Sequence, residues 1–366
     1  MRRPSHRVWL VAAISAAVVA VLWSGLWFLA ASTAKATIAG WREREANVGR
    51  VYSCANETVS GFPFRIEVHC TDPGVELHRD EPPVALKAAD LRVFAQVYQP
   101  TLLVTEFTGP MTIAEPGQPP GFVANWTRSE TTLRGAPKAP EQASIVFDRP
   151  AVDRIGDGGT VLKADRVEIS GRMAEGSAAG NPVIPLALHL VAGTAPELHP
   201  FTVQPLDADI AATLYGLSNF APKPWAERFR ELQARGGRIE ITRARVQQGD
   251  AIAVSTGTLG LTARGGLDGQ LNVTIVGLEQ VVKSLDLDNV ATQGQIGSTI
   301  NALDRLIPGI GQFARQNAAP GILAGLHAMG ERTVLEGRPA LRLPLRFADG
   351  QVLLGPFPVG RMPLMF

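Results

Sequence analysis

One long uncharged run, Val8 to Ala34, follows a basic tip that carries Arg2, Arg3 and Arg7. As a helix, the run is about 40 Å long at about 1.5 Å per residue, which is enough to cross a hydrocarbon core of about 30 Å. Short basic flanks stay on the cytoplasmic side of a membrane, so we expect the rest of the chain to lie outside the cytoplasm. The run therefore predicts a single-pass protein of the inner (cytoplasmic) membrane with the bulk of its chain in the periplasm.

The chain then divides into an anchor and an exported domain. The predicted parts are a cytoplasmic tip (1–7), a transmembrane helix (8–31), a helical stalk (32–49) and a periplasmic β-rich domain (50–366). A cleaved signal peptide is the alternative, since Ala34-Lys35-Ala36 has small residues at the two positions that a signal peptidase reads. The apolar part of a signal peptide is about 7 to 15 residues long, so the length of this run favours an uncleaved signal-anchor.

The two cysteines, Cys54 and Cys70, agree with an exported domain. In an oxidising compartment an even number of cysteines indicates disulfide bonding, whereas a cytosolic protein keeps its thiols reduced. The bond would close a loop of about 15 residues and contribute about 3 kcal/mol on the chain-entropy model. A metal site is the weaker alternative, because His69 is the only further ligand close in sequence.

Charge and composition exclude some classes of function. The formal net charge is +1, and it falls to −2 when the three arginines of the tip are set aside. Nucleic-acid binding needs a basic patch, and the Lys and Arg residues here are scattered, so we expect no nucleic-acid partner. The 37 glycines and 27 prolines indicate many turns and short strands.

Alternating apolar residues predict strands soon after the stalk. Phe62, Phe64, Ile66, Val68 and Cys70 alternate with polar or charged residues and Pro63, which gives a segment with one buried face. Further strands are predicted at 86–98, 102–107, 161–169 and within 238–276, where Asp268-Gly269 is expected to form a hairpin turn. A second hairpin is expected at Asp349-Gly350.

Helical periodicity interrupts the strands twice. The insertions are predicted at about 222–236, which begins near Pro224 and ends at Gly236-Gly237, and at about 277–330. The sequence therefore predicts a mainly β (α+β) fold, an elongated and curved antiparallel sheet with two or three packed helices, preceded by one transmembrane helix.

No motif for catalysis is present. The chain has no Gly-x-Ser-x-Gly elbow, no phosphate-binding Gly-x4-Gly-Lys loop and no His-Glu-x-x-His helix. His189 is interpreted as a hydrogen-bonded structural residue. The carboxylate pairs Asp207/Asp209 and Asp286/Asp288 could serve as acid and base, but solvated pairs of this kind are common. We expect no enzyme, no catalytic residue, no cofactor and no metal.

Five aromatic residues offer a possible binding surface. They are Phe62, Phe64, Phe94, Tyr98 and Phe107. One hypothesis is that they line an apolar groove for acyl chains on the inner face of a sheet that curls without closing. The alternative, which the sequence favours, is that the predicted helices cover this face as an ordinary core.

The block Gly61-Phe62-Pro63-Phe64-Arg65, set between the two cysteines, resembles the bacterial family called domain of unknown function 2125. Two further blocks are similar to that family: Val97-Tyr98-Gln99-Pro100 and Gly355-Pro356-Phe357-Pro358-Val359-Gly360. The family is uncharacterised, so the resemblance implies a cellular setting and no activity. The Gly-punctuated strands at 237–273 also resemble AsmA-like envelope proteins, which implies an elongated β groove linked to lipid traffic.

These features together predict a non-catalytic, membrane-anchored protein of the cell envelope. Its sheet would bind or handle lipid in envelope biogenesis. The alternative is a tethered periplasmic scaffold that binds another envelope protein. The expected partners are the membrane itself and either lipid or a second envelope protein.

Overall fold

The structure is a computed structural model that describes residues 6–135, 140–156, 158–198, 200–221, 223–284, 318–348, 350–354 and 357–365. It opens with a single helix, α1 (His6–Asn47), of 42 residues without a proline. At about 1.5 Å per residue, α1 is about 63 Å long. It ends before Gly49, whose positive φ of 85° turns the chain into the first strand. Among the described residues, α1 is the one helix long and apolar enough to span a membrane.

Strands follow α1. Their bounds are β1 (Arg50–Ser53), β2 (Asn56–Ser60), β3 (Arg65–Thr71), β4 (Gly74–Leu77), β5 (Val84–Gln96), β6 (Gln99–Ala114), β7 (Phe122–Asn125), β8 (Arg128–Arg134), β9 (Gln142–Asp148), β10 (Ala151–Arg154), β11 (Thr160–Lys163), β12 (Arg166–Arg172), β13 (Glu175–Ser177), β14 (Gly180–Gly193), β15 (Leu206–Tyr215), β16 (Arg238–Gln248), β17 (Ala251–Leu261), β18 (Leu267–Val276), β19 (Glu331–Leu335), β20 (Arg338–Ala348), β21 (Gln351–Leu354) and β22 (Phe357–Arg361).

Three further helices interrupt the strands in the described part of the chain. They are α2 (Trp225–Ala234), α3 (Leu278–Ser284) and α4 (Ala318–Met329). A single 3-10 turn covers Pro200–Thr202. Residues 285–317, which belong to the helical insertion predicted at 277–330 and contain Asp286 and Asp288, lie outside the described residues.

The strands pair antiparallel in one long sheet. From β3 the neighbours run β5, β6, β8, β9, β12 and β14. They continue through β15, β16, β17 and β18 to β20. The mainly β fold with packed helices is thus confirmed.

The register places one apolar row across these twelve strands. Because paired residues lie side by side on the same face of a sheet, the row can be followed from strand to strand. It consists of Val68, Val93, Thr105, Thr131, Ile145, Ile169, Leu188, Ile210, Ala244, Ser255, Val273 and Leu343. No member is charged. We call this side of the sheet the apolar face.

The neighbouring row lies on the opposite side and is mostly polar. Its members are Glu130, Val146, Glu168, His189, Asp209, Arg245, Val254, Thr274, Arg342 and Glu331. We call this side the polar face. The contrast shows that the sheet keeps one apolar side and one polar side from β8 to β20.

Helices cover one end of the apolar face. The buried cluster there joins β18 and β20 to α3 and α4, with Leu343 only 1% exposed and Leu326 fully buried. Farther along the sheet, Ile169 of the same row is 45% exposed. Within the described residues, the apolar face is therefore covered over β18 and β20 and accessible over β12.

Two local predictions were wrong. Asp268-Gly269 does not form the turn between β17 and β18: both residues lie inside β18 and pair with Gly260 and Leu259. The turn lies at 262–266, where Thr262 and Gly266 share a backbone hydrogen bond. The strand predicted at 161–169 is two strands, β11 and β12, which pair with different neighbours. Asp349 lies outside the described residues, but the strands on either side of it pair as a hairpin.

Candidate functional site

An open cleft of about 520 Å³ lies on the apolar face over β9, β12 and β14. Its lining includes Ile145, Ile169, Met173, Ile184, Leu186 and Phe220. Glu141, Gln142 and Arg172 lie where β9 and β12 meet the edge of the sheet, at the rim of this cleft. The volume falls within the range of about 300–1,000 Å³ that is usual for ligand sites. We call it the Ile169 groove.

One wall of the Ile169 groove comes from outside the sheet. The Phe220 segment, residues 216–221 and 223–224, leaves the end of β15 and returns along β14. The amide of Asn181 donates to the carbonyl oxygen of Ser218 at 2.8 Å, and the amide of Phe220 donates to that of Ala178 at 2.8 Å. These two bonds hold the Phe220 side chain beside the groove.

Helix α2 fixes the Phe220 segment through Glu231. The backbone amide of Ser218 donates to Glu231 Oε1 at 3.0 Å, and Arg228 Nη1 donates to Glu231 Oε2 at 3.2 Å. Lys223 Nζ forms a third contact with the same carboxylate. Burial raises the pKa of Glu231, but the hydrogen bonds from Lys223 and Ser218 and the charge of Arg228 outweigh it and lower this pKa to about 2. Glu231 therefore stays ionised at neutral pH and binds the Ser218 amide, Arg228 and Lys223 at once.

The Phe220 segment also touches the start of the sheet. Arg50 Nη2 donates to the carbonyl oxygen of Lys223 at 3.0 Å, and the amide of Trp225 donates to Asp80 Oδ1 at 3.4 Å. Arg50 begins β1 and Asp80 follows β4, far from β15 in the order of strands. The sheet is therefore curved, and the Phe220 segment bridges two distant parts of it.

The polar face carries a second, smaller depression of about 380 Å³. His189 Nδ1 lies 2.6 Å from Asp209 Oδ1, and both side chains are about half exposed. Glu168 and Arg243 complete the charged lining. His189 is hydrogen-bonded, as predicted, and lies on the solvated side of the sheet. Asp207 lies on the same strand and accepts a hydrogen bond from the amide of Ala192 at 2.8 Å.

Nearby, Arg245 joins β16 to the turn between β19 and β20. Its Nε donates to Glu336 Oε1 at 2.7 Å. The hydrogen bond from Arg245 lowers the pKa of Glu336, and it also raises the pKa of Arg245. These charged contacts are exposed to solvent, where an ion pair contributes about 0–1 kcal/mol. The polar face is thus a solvated surface. Among the described residues, no three His, Cys, Asp or Glu side chains come together as a metal site requires.

The five predicted aromatic residues do not form one surface. Phe107 pairs with Leu91, which lies two residues from Val93 on β5, so Phe107 is on the apolar face. Phe94 pairs with Glu67 on the polar face, where the guanidinium of Arg65 lies 5.6 Å from its ring centre. The remaining three, Phe62, Phe64 and Tyr98, are exposed at the turns that end β3, β5 and β6.

The turn that carries Phe62 and Phe64 lies against α1. Residues 61–65, which we call the aromatic loop, receive two hydrogen bonds from the helix: Trp23 Nε1 donates to the carbonyl oxygen of Pro63 at 2.9 Å, and Trp27 Nε1 donates to that of Arg65 at 2.8 Å. The ring of Trp27 meets the ring of Phe62 edge-on at 5.6 Å. Trp27 is only 5% exposed. The helix and the sheet are thus packed together at the aromatic loop.

The cysteine pair lies close to the same loop. Cys54 and Cys70 form a disulfide that links the turn before β2 to β3. The predicted pairing is therefore present in the structure. It fastens β3, the strand that follows the aromatic loop, to the turn between β1 and β2.

Comparison with known families finds one whose model matches most of the chain. The family described as an uncharacterised protein conserved in bacteria, domain of unknown function 2125 (DUF2125), matches residues 27–363. The chain belongs to this family. The match begins at Trp27 and includes the aromatic loop, the Ile169 groove and the Phe220 segment. No curated protein matches the chain. The resemblance to AsmA-like envelope proteins stays a prediction.

The residues that line the groove in this DUF2125 protein were missed by sequence reasoning. Ile169 was seen only as part of a strand, and Phe220 was not singled out. The polar neighbours of Ile169, which are Glu168 and Ser170, were a usable signal that Ile169 lies on the apolar face. That β9 and β12 would be neighbours could not be read from local sequence, because the chain between them forms β10 and β11.

Proposed function

We propose that this DUF2125 protein is a non-catalytic protein of the cell envelope, anchored in the inner membrane by α1, that binds the acyl chain of a membrane lipid in the Ile169 groove. The tip before α1 lies in the cytoplasm and the sheet in the periplasm. The disulfide supports an oxidising compartment. The exposed His189–Asp209 pair is part of the solvated polar face and has no catalytic role in this proposal.

The observation that carries the proposal is the accessible apolar face. Twelve strands contribute an uncharged row, and the described helices α3 and α4 bury it over β18 and β20. Ile169, in the middle of the row, is 45% exposed. Exposed apolar surface of this extent is typical of binding grooves, since burying it gains about 25 cal/mol per Å². A hydrocarbon chain has no polar groups that need hydrogen-bond partners, so it suits an apolar cleft.

The anchor is supported by its contacts with the sheet. Arg7 and the basic tip favour a cytoplasmic start, and the uncharged run is long enough to span the bilayer. Signal peptidase cleavage after Ala36 would remove Trp23 and Trp27, which donate hydrogen bonds to the aromatic loop. An uncleaved helix keeps both bonds.

Site-specific photocrosslinking in living cells tests the groove. A photoreactive phenylalanine analogue is placed at Ile169, and cellular acyl chains are labelled with radioactive acetate. The matched control carries the same analogue at His189, which is also about half exposed but lies on the polar face. We expect a radioactive lipid adduct after illumination at Ile169 and none at His189.

Two results would count against lipid binding. Equal labelling at both positions would mean that lipid meets the sheet without selection for the apolar face. A single protein adduct at Ile169 without lipid would favour the alternative, a tethered scaffold that binds another envelope protein. Both readouts use the full chain in its own membrane.

A further inference from the structure

The aromatic loop presents apolar side chains to the surroundings of α1. Phe62 is 53% exposed and Phe64 is 61% exposed, although both rings lie against tryptophans of the helix. Large aromatic rings are costly to leave in water, about 1.5–3 kcal/mol for a side chain such as Phe. Their exposure beside an apolar helix indicates a nonaqueous neighbour.

The height of the loop along α1 identifies that neighbour. Nineteen residues separate Val8 from Trp27. At about 1.5 Å per residue this is about 29 Å, which is about the thickness of the hydrocarbon core. If the basic tip stays on the cytoplasmic side, Trp23 lies within the far leaflet and Trp27 lies at its boundary. The aromatic loop contacts α1 at this level.

A second turn lies beside the loop. The amide of Val97 donates to the carbonyl oxygen of Phe64 at 2.9 Å, which places the β5–β6 turn against the aromatic loop. Tyr98, at the tip of this turn, is 72% exposed. Arg65 is exposed next to it and pairs with Glu67. Aromatic rings with a polar end and basic side chains are typical of the boundary between hydrocarbon and headgroups.

We propose that Phe62, Phe64 and Tyr98 insert into the outer leaflet of the anchoring membrane and dock this end of the sheet on the lipid surface. The proposal rests on the anchor of the proposed function, because α1 sets the height of the loop. It does not depend on lipid binding in the Ile169 groove. The surface and the anchor are continuous, so the occupant is the bilayer that α1 crosses.

The aromatic loop and the rim of the Ile169 groove belong to the same edge of the sheet. The ends of β6, β8, β9 and β12 form one edge through the pairs Leu102–Arg134, Arg134–Gln142 and Gln142–Arg172. The aromatic loop begins the same edge, where Arg65 pairs with Gln96. Five strand spacings of about 4.8 Å, or about 24 Å, separate β3 from β12.

Depth-dependent fluorescence quenching tests the insertion. The full chain is reconstituted in vesicles of phosphatidylethanolamine and phosphatidylglycerol that contain a lipid with brominated acyl chains. Single cysteines introduced by F64C and Y98C carry an environment-sensitive fluorophore, while Cys54 and Cys70 stay in their disulfide. We expect brominated lipid to remove most of the fluorescence at both positions and aqueous iodide to remove little.

Two matched positions complete the experiment. V334C labels an apolar residue that is 69% exposed in the β19–β20 hairpin, and it should respond to iodide alone. V18C labels the middle of α1, where brominated lipid should quench if the helix spans the bilayer. Quenching at V18C with iodide accessibility at F64C and Y98C would overturn the docking proposal while the anchor stands. Loss of lipid quenching at V18C would overturn the anchor and the docking together.

Discussion

At the scale of single residues, Gly61 determines the shape of the aromatic loop. Its φ is +102°, and a Cβ at this position would lie 2.6 Å from the carbonyl oxygen of Arg65. That oxygen also accepts the hydrogen bond from Trp27. A side chain at Gly61 would therefore distort the loop and its contact with α1 at once.

The G61A substitution should destabilise the full chain in detergent by at least about 2 kcal/mol, since strain and a backbone clash add. The matched control is G117A, because Gly117 also has a positive φ, 77°, but open space at its Cβ position. The control should cost about 1 kcal/mol, from conformation alone. Urea unfolding measures both, and equal losses would contradict the clash.

Among the five aromatic residues, Phe94 shows what the sequence could have predicted. Leu91, Val93 and Ala95 alternate along β5 and share a face, so Phe94 falls on the other face by simple parity. The hypothesis that Phe94 and Phe107 line one groove did not take this two-residue alternation into account. The positions of Phe62 and Phe64 beside α1 could not be derived, because they depend on a contact between segments about 40 residues apart.

At the scale of elements, α2 holds the Phe220 segment through one carboxylate. Glu231 is 15% exposed on its side chain and contacts Lys223, Arg228 and the amide of Ser218. Hydrogen bonds to charged groups contribute about 1.5–3 kcal/mol each when they are not fully solvated. This helix end is therefore a point where charge, rather than apolar packing, determines local structure.

E231Q should reduce the free energy of unfolding by about 1.5–3 kcal/mol at neutral pH. E227Q, on the same helix, is the control, because Glu227 is 60% exposed and lies 3.9 Å from Lys223. The folded pKa of Glu231 is about 2, below the ordinary value of 4.5, so its contribution is complete above pH 4.5 and disappears as the pH falls toward 2. Unfolding measured across this range should show that loss in the native chain and lack it in E231Q. If E231Q lost as much stability as the native chain over this pH range, the loss would not come from protonation of Glu231.

Helix α4 covers the far end of the apolar face. Leu326 is fully buried there against α3 and the last strands of the sheet. L326A should destabilise the protein by about 2–5 kcal/mol, because it removes buried methyl groups and leaves a cavity. L198A, at a position 72% exposed, should change stability by about 0.5 kcal/mol or less. Thermal unfolding compares the two, and similar values would mean that α4 does not pack as the structure shows.

The elements predicted from the sequence match the structure best where the spacing of apolar residues is regular. Helices 222–236 and the start of 277–330 were found from apolar spacing, and α2 and α3 occupy these ranges. Asp268-Gly269 failed because Gly269 serves a different purpose: with φ +142°, a Cβ there would lie 2.2 Å from the carbonyl oxygen of Thr258. The glycine here allows two strands to approach closely. Because a tight turn and a close strand contact both favour glycine, the dipeptide by itself does not distinguish them.

At the scale of the whole molecule, α1 and the sheet form one packed unit. The mature protein should therefore retain its N-terminal helix, and intact-mass measurement of the chain purified from membranes should include residues 1–36. The control is a variant in which a known cleavable signal replaces these residues, and its mature form should be released from the membrane. A natural chain that begins at Thr37 would contradict the anchor.

The two faces of the sheet could be predicted only in part. Alternation showed that each strand has an apolar side, but the twelve-strand row depends on which strands are neighbours. The pairing of β6 with β8 and of β9 with β12 skips over strands that lie between them in sequence. Local patterns contain no information on such skips, so the Ile169 groove appears only in three dimensions.

The order of the strands has a consequence for synthesis. From β14 to β18, each strand pairs with the next one in the chain. Each newly made strand therefore finds its neighbour already present, and local pairings of this kind form fast. We expect chains stalled on the ribosome after residue 276, with a spacer, to protect β14–β17 from protease, whereas chains stalled after residue 237 should leave β15 sensitive. This part of the sheet can thus assemble in the direction in which it is translated.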